Sequence, residues 1–365
     1  MTHCAQKPPM DDGEGPPLEA LRVALTRSGL TEGFDHLVPM ADTGLAHWHV
    51  LVRRPDQSGY VARMPKQSQM DLPAADNLAY QRACFERAQP SGHTPKLYRT
   101  LPCDDALPRG ALLVEAIEGR PAQLPDDLPA IARALAALHR LPLPAEDRRA
   151  PLVSAVDPWH AMLAEIRDQA RYLRDASLAP QSRRCIDAAL AALPDSLTAA
   201  TTDAARCLIS FDAHPGNFLI EPGGRAVLVD LEKCRYGLPG FDLAHLSLYT
   251  STSWDVQSRA VLFREDIEAL YDRWRILMGD AASPHDWQTL IACRRAMWLW
   301  SVTWCAKWRA NRSRSADHRH QGEDWSSSLS ECTLIAHVQD RVDHYLSLPI
   351  LERVTRELNE LSHGA

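Results

Sequence analysis

Asp212 and Asn217 lie five positions apart in Asp212-Ala213-His214-Pro215-Gly216-Asn217, and a second carboxylate, Asp230, follows thirteen residues later in Val227-Leu228-Val229-Asp230-Leu231-Glu232. A carboxylate and an amide spaced as D-x-x-x-x-N, then a carboxylate beyond a short hairpin, is the order in which kinase-type phosphoryl transfer sets out its groups. One Asp orients or deprotonates an attacking hydroxyl. The amide oxygen and the second carboxylate suit Mg²⁺, a hard cation that takes oxygen ligands, held against the phosphates of ATP. Asp212 is therefore the candidate base, and Asn217 and Asp230 are the candidate metal ligands. Such a transfer asks little covalent help from a protein; it asks for a positioned nucleophile, neutralised charge and exclusion of water.

The elements around these residues must hold them still. Phe218–Ile220 and Ala226–Val229 read as apolar strands joined by the turn Pro222-Gly223-Gly224, which would fix both metal ligands across a hairpin. Upstream, residues 18–30 carry apolar positions at helical spacing, followed by strands at His47–Arg53 and Tyr60–Met64 about a turn at Pro55–Gly59. A helix near 75–89 and strands at Lys96–Leu101 and Ala111–Ile117 complete a small, mostly antiparallel sheet. From about residue 126 the pattern turns helical. Ile131, Leu135 and Leu138 mark one helix face, and Asp157-Pro158 is a capped helix start. The expected organisation is α+β: a disordered tail over 1–17, a nucleotide-binding sheet domain over 18–117 and a helical domain over 118–365.

Residues 208–249 (LISFDAHPGNFLIEPGGRAVLVDLEKCRYGLPGFDLAHLSLY) resemble the aminoglycoside phosphotransferase/choline kinase group of small-molecule kinases. Members show H-G-D-x-H-P-x-N, then I-D-W/L-E, then a G-x-x-x-x-D-L-A run, and the likeness extends more weakly over about residues 30–310. The resemblance implies a two-lobed protein-kinase-like fold with a small antiparallel sheet lobe and a larger helical lobe. It also implies ATP, Mg²⁺ and a small hydroxylated acceptor, with Asp212 as base and Asn217 and Asp230 on the metal. Asp242 would brace the catalytic loop or cap the helix after it. Glu232 is either a further metal neighbour or a surface carboxylate, and His214 either contacts phosphate or shapes the loop.

The chain departs from that pattern in four places. Ser210-Phe211 replaces the usual His-Gly, and the phosphate-covering turn Asp42-Thr43-Gly44-Leu45 offers a single glycine, Gly44. The strand position of the phosphate-clamping lysine holds Arg63, whose planar fork can grip two phosphate oxygens. Lys66 lies beyond Pro65, off the strand. Alternation puts Val61 on the same face as Arg63, where it would cover adenine. A carboxylate partner for Arg63 is not evident among Asp76, Gln81 and Glu86. The hinge falls at Leu113–Gly119, where backbone groups of Glu115 and Ile117 would read the base.

Bulk composition narrows the partners. A chain of 365 residues with 45% hydrophobic content, 24% charged residues and a net charge of −7 is an ordinary globular sequence without the basic excess of a nucleic-acid binder. No apolar run approaches the ~18 residues of a membrane span, and the first residues show no secretory signal, so a cytoplasmic protein is expected. Nine scattered cysteines without a C-x-x-C pair point to reduced thiols, mostly in the core. His318 and His320 have no well-spaced partner ligands.

The acceptor is harder to read. Trp300, Trp304 and Trp308 share a helix face, as a core stripe or as a stacking platform. Between Arg294 and His320 stand seven Lys or Arg and one acid, Asp317. If that segment faces the acceptor it favours a neutral or anionic compound, whereas Glu265-Asp266-Ile267-Glu268 keeps a cationic one open. The reading is an ATP- and Mg²⁺-dependent transfer to a hydroxyl of a small metabolite, with no activation segment for a protein substrate between Asp230 and Asp242. A non-catalytic nucleotide-binding pseudokinase and an aminoglycoside-resistance kinase are the alternatives; the oligomeric state stays open.

Overall fold

The computed structural model describes residues 15–30, 36–41, 44–53, 59–197, 205–312 and 330–362. Most of the expected tail, Asp42 and Thr43 of the phosphate turn, the turn at 55–58, and His318 and His320 lie outside them. The elements run α1 (Leu18–Arg27), β1 (His36–Pro39), β2 (His47–Arg53), β3 (Tyr60–Pro65), α2 (Ala74–Ala88), β4 (Leu97–Leu101) and β5 (Ala111–Glu115). They continue with β6 (Arg120–Pro121), α3 (Leu128–His139), α4 (Pro158–Ala170), α5 (Pro180–Ala191), β7 (Cys207–Ile209), β8 (Phe218–Ile220), β9 (Ala226–Leu228) and β10 (Arg235–Gly237). The last are α6 (Gly240–Ser247), α7 (Tyr249–Thr252), α8 (Arg264–Met278), α9 (Trp287–Arg312), α10 (Cys332–Tyr345) and α11 (Leu348–Ser362). Of these, β1, β6 and β10 have no counterpart in the sequence reading, being two to four residues long with no alternation to detect. The class is α+β.

The described residues form two compact units, one falling within 1–78, 97–116 and 320–336, the other within 79–96, 117–319 and 337–365. In the first, an antiparallel sheet has the order β1-β2-β3-β5-β4. Val50 pairs with Ala62 and Val52 with Tyr60, so these side chains share one face. That face joins Met64, Leu113 and Ala111 in a core closed by Leu21, Ala24 and Leu25 of α1. The β-branched content of β2 and the helical spacing of α1 thus serve one apolar layer.

In the second unit, α4 and α6 pack on the long α9, and α3 packs on α8 and β9. Ile131, Leu135 and Leu138 are buried on α3, as their spacing requires. The Asp157 carboxylate accepts a hydrogen bond from the backbone N–H of His160, capping α4, with Pro158 in its first turn. Two small sheets, β6-β8-β9 and β7-β10, sit among these helices. The β8–β9 hairpin closes through Gly224, whose φ of 77° suits glycine, and whose N–H donates to Glu221 O at 2.8 Å.

Cysteines are free thiols among the described residues, and Cys84, Cys207, Cys234, Cys293 and Cys305 are buried. No helix among those residues is long and apolar enough to cross a membrane.

The start of α6 leaves no room for a side chain. A Cβ on Gly240 would lie 2.8 Å from Cys293 Cβ of α9, whereas one on Gly223 would meet nothing within 4 Å. Gly240→Ala should therefore lower stability by about 1–3 kcal/mol in urea unfolding, and Gly223→Ala should stay within about 0.5 kcal/mol of the parent. Equal unfolding midpoints would show that α6 and α9 can separate without cost.

Candidate active site

β7 ends at Ile209, and the next residues turn through a backbone conformation that L-residues avoid: Phe211 has φ 60°. Asp242 holds this turn. Its Oδ2 accepts from Ser210 N and its Oδ1 from Phe211 N, both at 2.8 Å. A third donor, His139 Nε2 on α3, reaches Oδ2 at 3.1 Å, and both side chains are 0% exposed. Trp274 Nε1 of α8 points at His139 Nδ1 at 3.0 Å. An indole can only donate, so the imidazole hydrogen sits on Nε2, directed at Asp242. Of the two roles open to Asp242, bracing the loop is the one its contacts describe.

The Ser210-Phe211 departure is accommodated by the same turn. Ser210 Oγ accepts from Asp212 N at 3.2 Å, which shapes the loop where the family pattern has histidine. Phe211 occupies the glycine position and offsets its backbone strain by packing. Its ring meets Trp300 edge-on at 5.4 Å and Phe241 at 6.3 Å, and the Arg235 guanidinium stacks on it at 3.6 Å.

Asp212, Asn217 and Asp230 come together at the mouth of the β8–β9 hairpin. Asn217 Nδ2 donates to Asp212 O at 2.8 Å, which turns its amide oxygen away from the loop and leaves it as an acceptor. Asn217 O accepts from Val229 N at 2.9 Å, so the residue beside Asp230 is tied to Asn217 by backbone. One amide oxygen and one carboxylate form an oxygen donor pair of the kind Mg²⁺ takes when phosphates supply further ligands. Among the described residues no group of three or more His, Cys, Asp or Glu is arranged to hold a metal unaided.

Electrostatics favour an ionised Asp212. Burial alone would push its carboxyl up, but Lys233, then His214 and His245, outweigh that and hold it below the usual carboxylate range, against the opposing charge of Asp230. Lys233 Nζ lies 3.3 Å from Asp212 Oδ2, and His245 Nδ1 lies 3.8 Å from Oδ1. His214 shapes the loop through its carbonyl, which accepts from Asn217 N at 3.0 Å, while its ring lies under Gly216. Glu232 is 5% exposed, which removes the surface-carboxylate alternative. Sequence reasoning missed Lys233, His245 and His139, since nothing in their local spacing marks them.

In the first unit, Val61 and Arg63 share the sheet face opposite the α1 core. Val61 pairs with Leu51 and Val114, and Arg63 with His49 and Leu112. Arg63 is buried, and its Nη1 lies 3.3 Å from His49 Nε2. The carbonyl of Gly44 accepts from Lys66 Nζ at 3.1 Å, and that ammonium lies over the Trp48 ring at 5.7 Å. Lys66 is off the strand as expected, but it is 3% exposed and its ammonium is spent on the Gly44 turn. Glu115 ends β5 opposite Tyr60. Ile117 is half-buried and belongs to the second unit. Glu86 pairs with Arg82 on its own helix at 2.6 Å, and Asp76 is exposed.

Four arginines of the basic run and two carboxylates of the acidic run take partners within the second unit. Arg294 is fully buried and binds Glu357 and Ser247; Arg295 binds α11; Arg309 pairs with Asp343; Arg312 lies on the Trp308 ring. Arg314, Asp317 and Arg319 lie outside the described residues. Asp266 accepts from Phe263 N at the start of α8, and Glu268 pairs with Arg264. Trp300 and Trp308 are buried as a core stripe, and Trp304 is half-buried, edge-on to Trp254 at 5.9 Å.

The sequence profile of the phosphotransferase enzyme family matches residues 42–277. A search of curated proteins finds no match. Among solved structures, a macrolide 2'-phosphotransferase from Brachybacterium faecium is 17% identical over 86% of this chain and 98% of its own, with a TM-score of 0.54. A choline kinase from Streptococcus pneumoniae is 15% identical over 94% and 99%, with a TM-score of 0.56. A Plasmodium vivax ethanolamine kinase is 12% identical over 94% and 97%, with a TM-score of 0.57. At these identities the likeness is one of fold, the two-lobed protein-kinase-like architecture.

Two outcomes follow from the loop and its surroundings. Phe211→Gly should be more stable than Phe211→Ala by about 1 kcal/mol in urea unfolding, because both lose the ring but only glycine accepts the positive φ freely. Equal stabilities would mean that the turn costs nothing.

The second outcome concerns pH. Burial pushes the His245 and His285 imidazoles down to about 4. The folded state then binds fewer protons than the unfolded one between pH about 6.5 and about 4. Stability should therefore fall as pH is lowered through that window, by up to roughly 1.4 kcal/mol per pH unit for each histidine. Thermal unfolding across the window checks this, and His285→Gln should flatten the slope; an unchanged slope would assign it to other groups.

Proposed function

The chain belongs to the phosphotransferase enzyme family, and from that premise we propose that it moves the γ-phosphoryl group of ATP to a hydroxyl of a small metabolite by direct in-line transfer. The observation that carries this reading is the convergence of Asp212, Asn217 and Asp230 on one loop and hairpin, with the loop braced by buried Asp242. Asp212, kept ionised with Lys233 beside it, would take the acceptor's proton as the oxygen attacks. Asn217 Oδ1 and the Asp230 carboxylate would hold Mg²⁺, which neutralises charge on the transferring phosphoryl group. Arg63 would grip phosphate oxygens, Gly44 would cover them, and Val61 with the backbone of Glu115 and Ile117 would receive adenine. A cytoplasmic location accords with the sequence composition.

The placement of Lys233 bears on the acceptor. An ammonium 3.3 Å from the base repels a second ammonium next to the reacting hydroxyl. This supports a neutral or anionic acceptor over a polycationic aminoglycoside, and it replaces the charge run at 294–320 as the argument. Of the departures that motivate the non-catalytic alternative, Ser210-Phe211 forms an ordered turn ahead of Asp212, which supports the catalytic reading.

A coupled ADP-release screen over polyols, sugars, nucleosides, hydroxy acids, amino alcohols and aminoglycosides tests both points. Turnover should require Mg²⁺ and be highest with a neutral or anionic compound. Asp212→Asn and Asp230→Asn should each lower kcat by about 10²-fold or more while leaving the circular dichroism spectrum intact. Near-normal turnover in both variants would sink the mechanism, and an aminoglycoside that outperforms every neutral acceptor would reverse the charge argument.

A further inference from the structure

Lys233 is held on two sides. Its Nζ lies 3.3 Å from Asp212 Oδ2 and 5.9 Å from the centre of the Trp300 ring, and its side chain is only 14% exposed. Trp300 is itself fixed, since its Nε1 donates to Glu165 Oε2 at 3.0 Å. The other oxygen of Glu165 accepts from Arg235 Nη1 at 2.6 Å. Arg235 then lies on the ring of Phe211, the residue before Asp212. The contacts therefore close a circuit that begins at the Asp212 carboxylate and returns to its own loop. β10 pairs with β7 so that Arg235 stands opposite Ile209, which sets Lys233 and Arg235 beside the loop that leaves β7.

We propose that Lys233 is a positioning residue for the transfer: it fixes the orientation of the Asp212 carboxylate, and the Trp300 ring fixes Lys233. The proposal rests on Asp212 acting as the base. A carboxylate has a soft terminal torsion, so a base without a fixed partner samples many orientations, only some of which can take a proton from a bound hydroxyl. A lysine is a poor clamp when its long stem is loose, because it loses rotamer freedom on pairing. The aromatic surface under the ammonium removes that freedom before the acceptor arrives. Lys233 itself takes no proton and forms no bond to phosphorus.

The test compares Lys233→Met, which keeps the stem and removes the charge, with Lys233→Arg, which keeps the charge. Both are read by Mg²⁺- and ATP-dependent ADP release, with water alone and with the best acceptor from the screen. Lys233→Met should lower kcat roughly 10- to 100-fold with KM for ATP unchanged, and Lys233→Arg should recover most of the loss. Equal kcat in Lys233→Met and the parent would overturn the proposal. So would equal losses in both variants, or a change confined to KM for ATP. If methionine is not tolerated by the fold, Lys233→Gln read against Lys233→Arg makes the same comparison. An unsubstituted protein that releases no ADP under any condition would remove the proposed function and this inference with it. An active parent with an indifferent Lys233 removes the inference alone.

Discussion

A buried carboxylate with three donors is the constraint on which the second unit depends. Burying an ionised group costs several kcal/mol unless its lone pairs are filled, and Asp242 fills them with two backbone N–H groups of the loop and one imidazole N–H. These donors come from two different commitments of the chain. The two amides belong to a turn that enters the left-handed region at Phe211, and His139 belongs to α3, oriented in turn by Trp274 of α8. The loop cannot relax its backbone without exposing a buried charge, and α3 and α8 cannot shift without unpairing the histidine. The helical core is in this way connected to the position of Asp212, two residues past the first amide.

Hydrogen bonding sets where Asp212 lies, and charge sets what it can do there. Two carboxylates, Asp212 and Asp230, would repel one another in a partly buried site. Lys233 foremost, joined in acid by the two histidines, tips the balance toward ionisation of Asp212. His245 and His214 do this as neighbours rather than as partners in a tight ion pair, the nearer one lying 3.8 Å away. Because burial keeps His245 neutral near pH 7, the ammonium of Lys233, 3.3 Å away, is the cation paired with Asp212 there. If Mg²⁺ is held by Asn217 and Asp230, as proposed, it would supply charge of the same sign as Lys233.

The sheet unit shows how one strand can serve two tasks. Along β3, Ala62 and Met64 enter the core under α1, while Val61 and Arg63 take the opposite face with His49 and Leu51. The period-two pleat makes this division automatic, and a slip of one residue would exchange the two faces. Similarly, the long helix α9 commits its arginines and tryptophans to α11, to α10 and to the base of the loop rather than to an acceptor surface.

Local structure was legible in the amino-acid sequence where the chain is continuous. The Asp212–Asn217–Asp230 spacing, the hairpin between them, the Asp157 cap and the alternation at Val61 and Arg63 depend on neighbours within a few tens of residues, and so leave a pattern in the order of residues. The fold class followed from those patterns and from the resemblance they carry. Tertiary structure alone decided that Lys233 faces Asp212, that Trp300 and Glu165 lie next to it in turn, and that Arg294, Arg295 and Arg309 pair with α11 and α10. It also decided that Phe211 could stand where the family pattern has glycine, because the compensating ring contacts come from Arg235, Phe241 and Trp300. The reason is the same in each case: a charge or a ring declares its type in the sequence, but its partner is chosen by packing between segments that lie far apart along the chain.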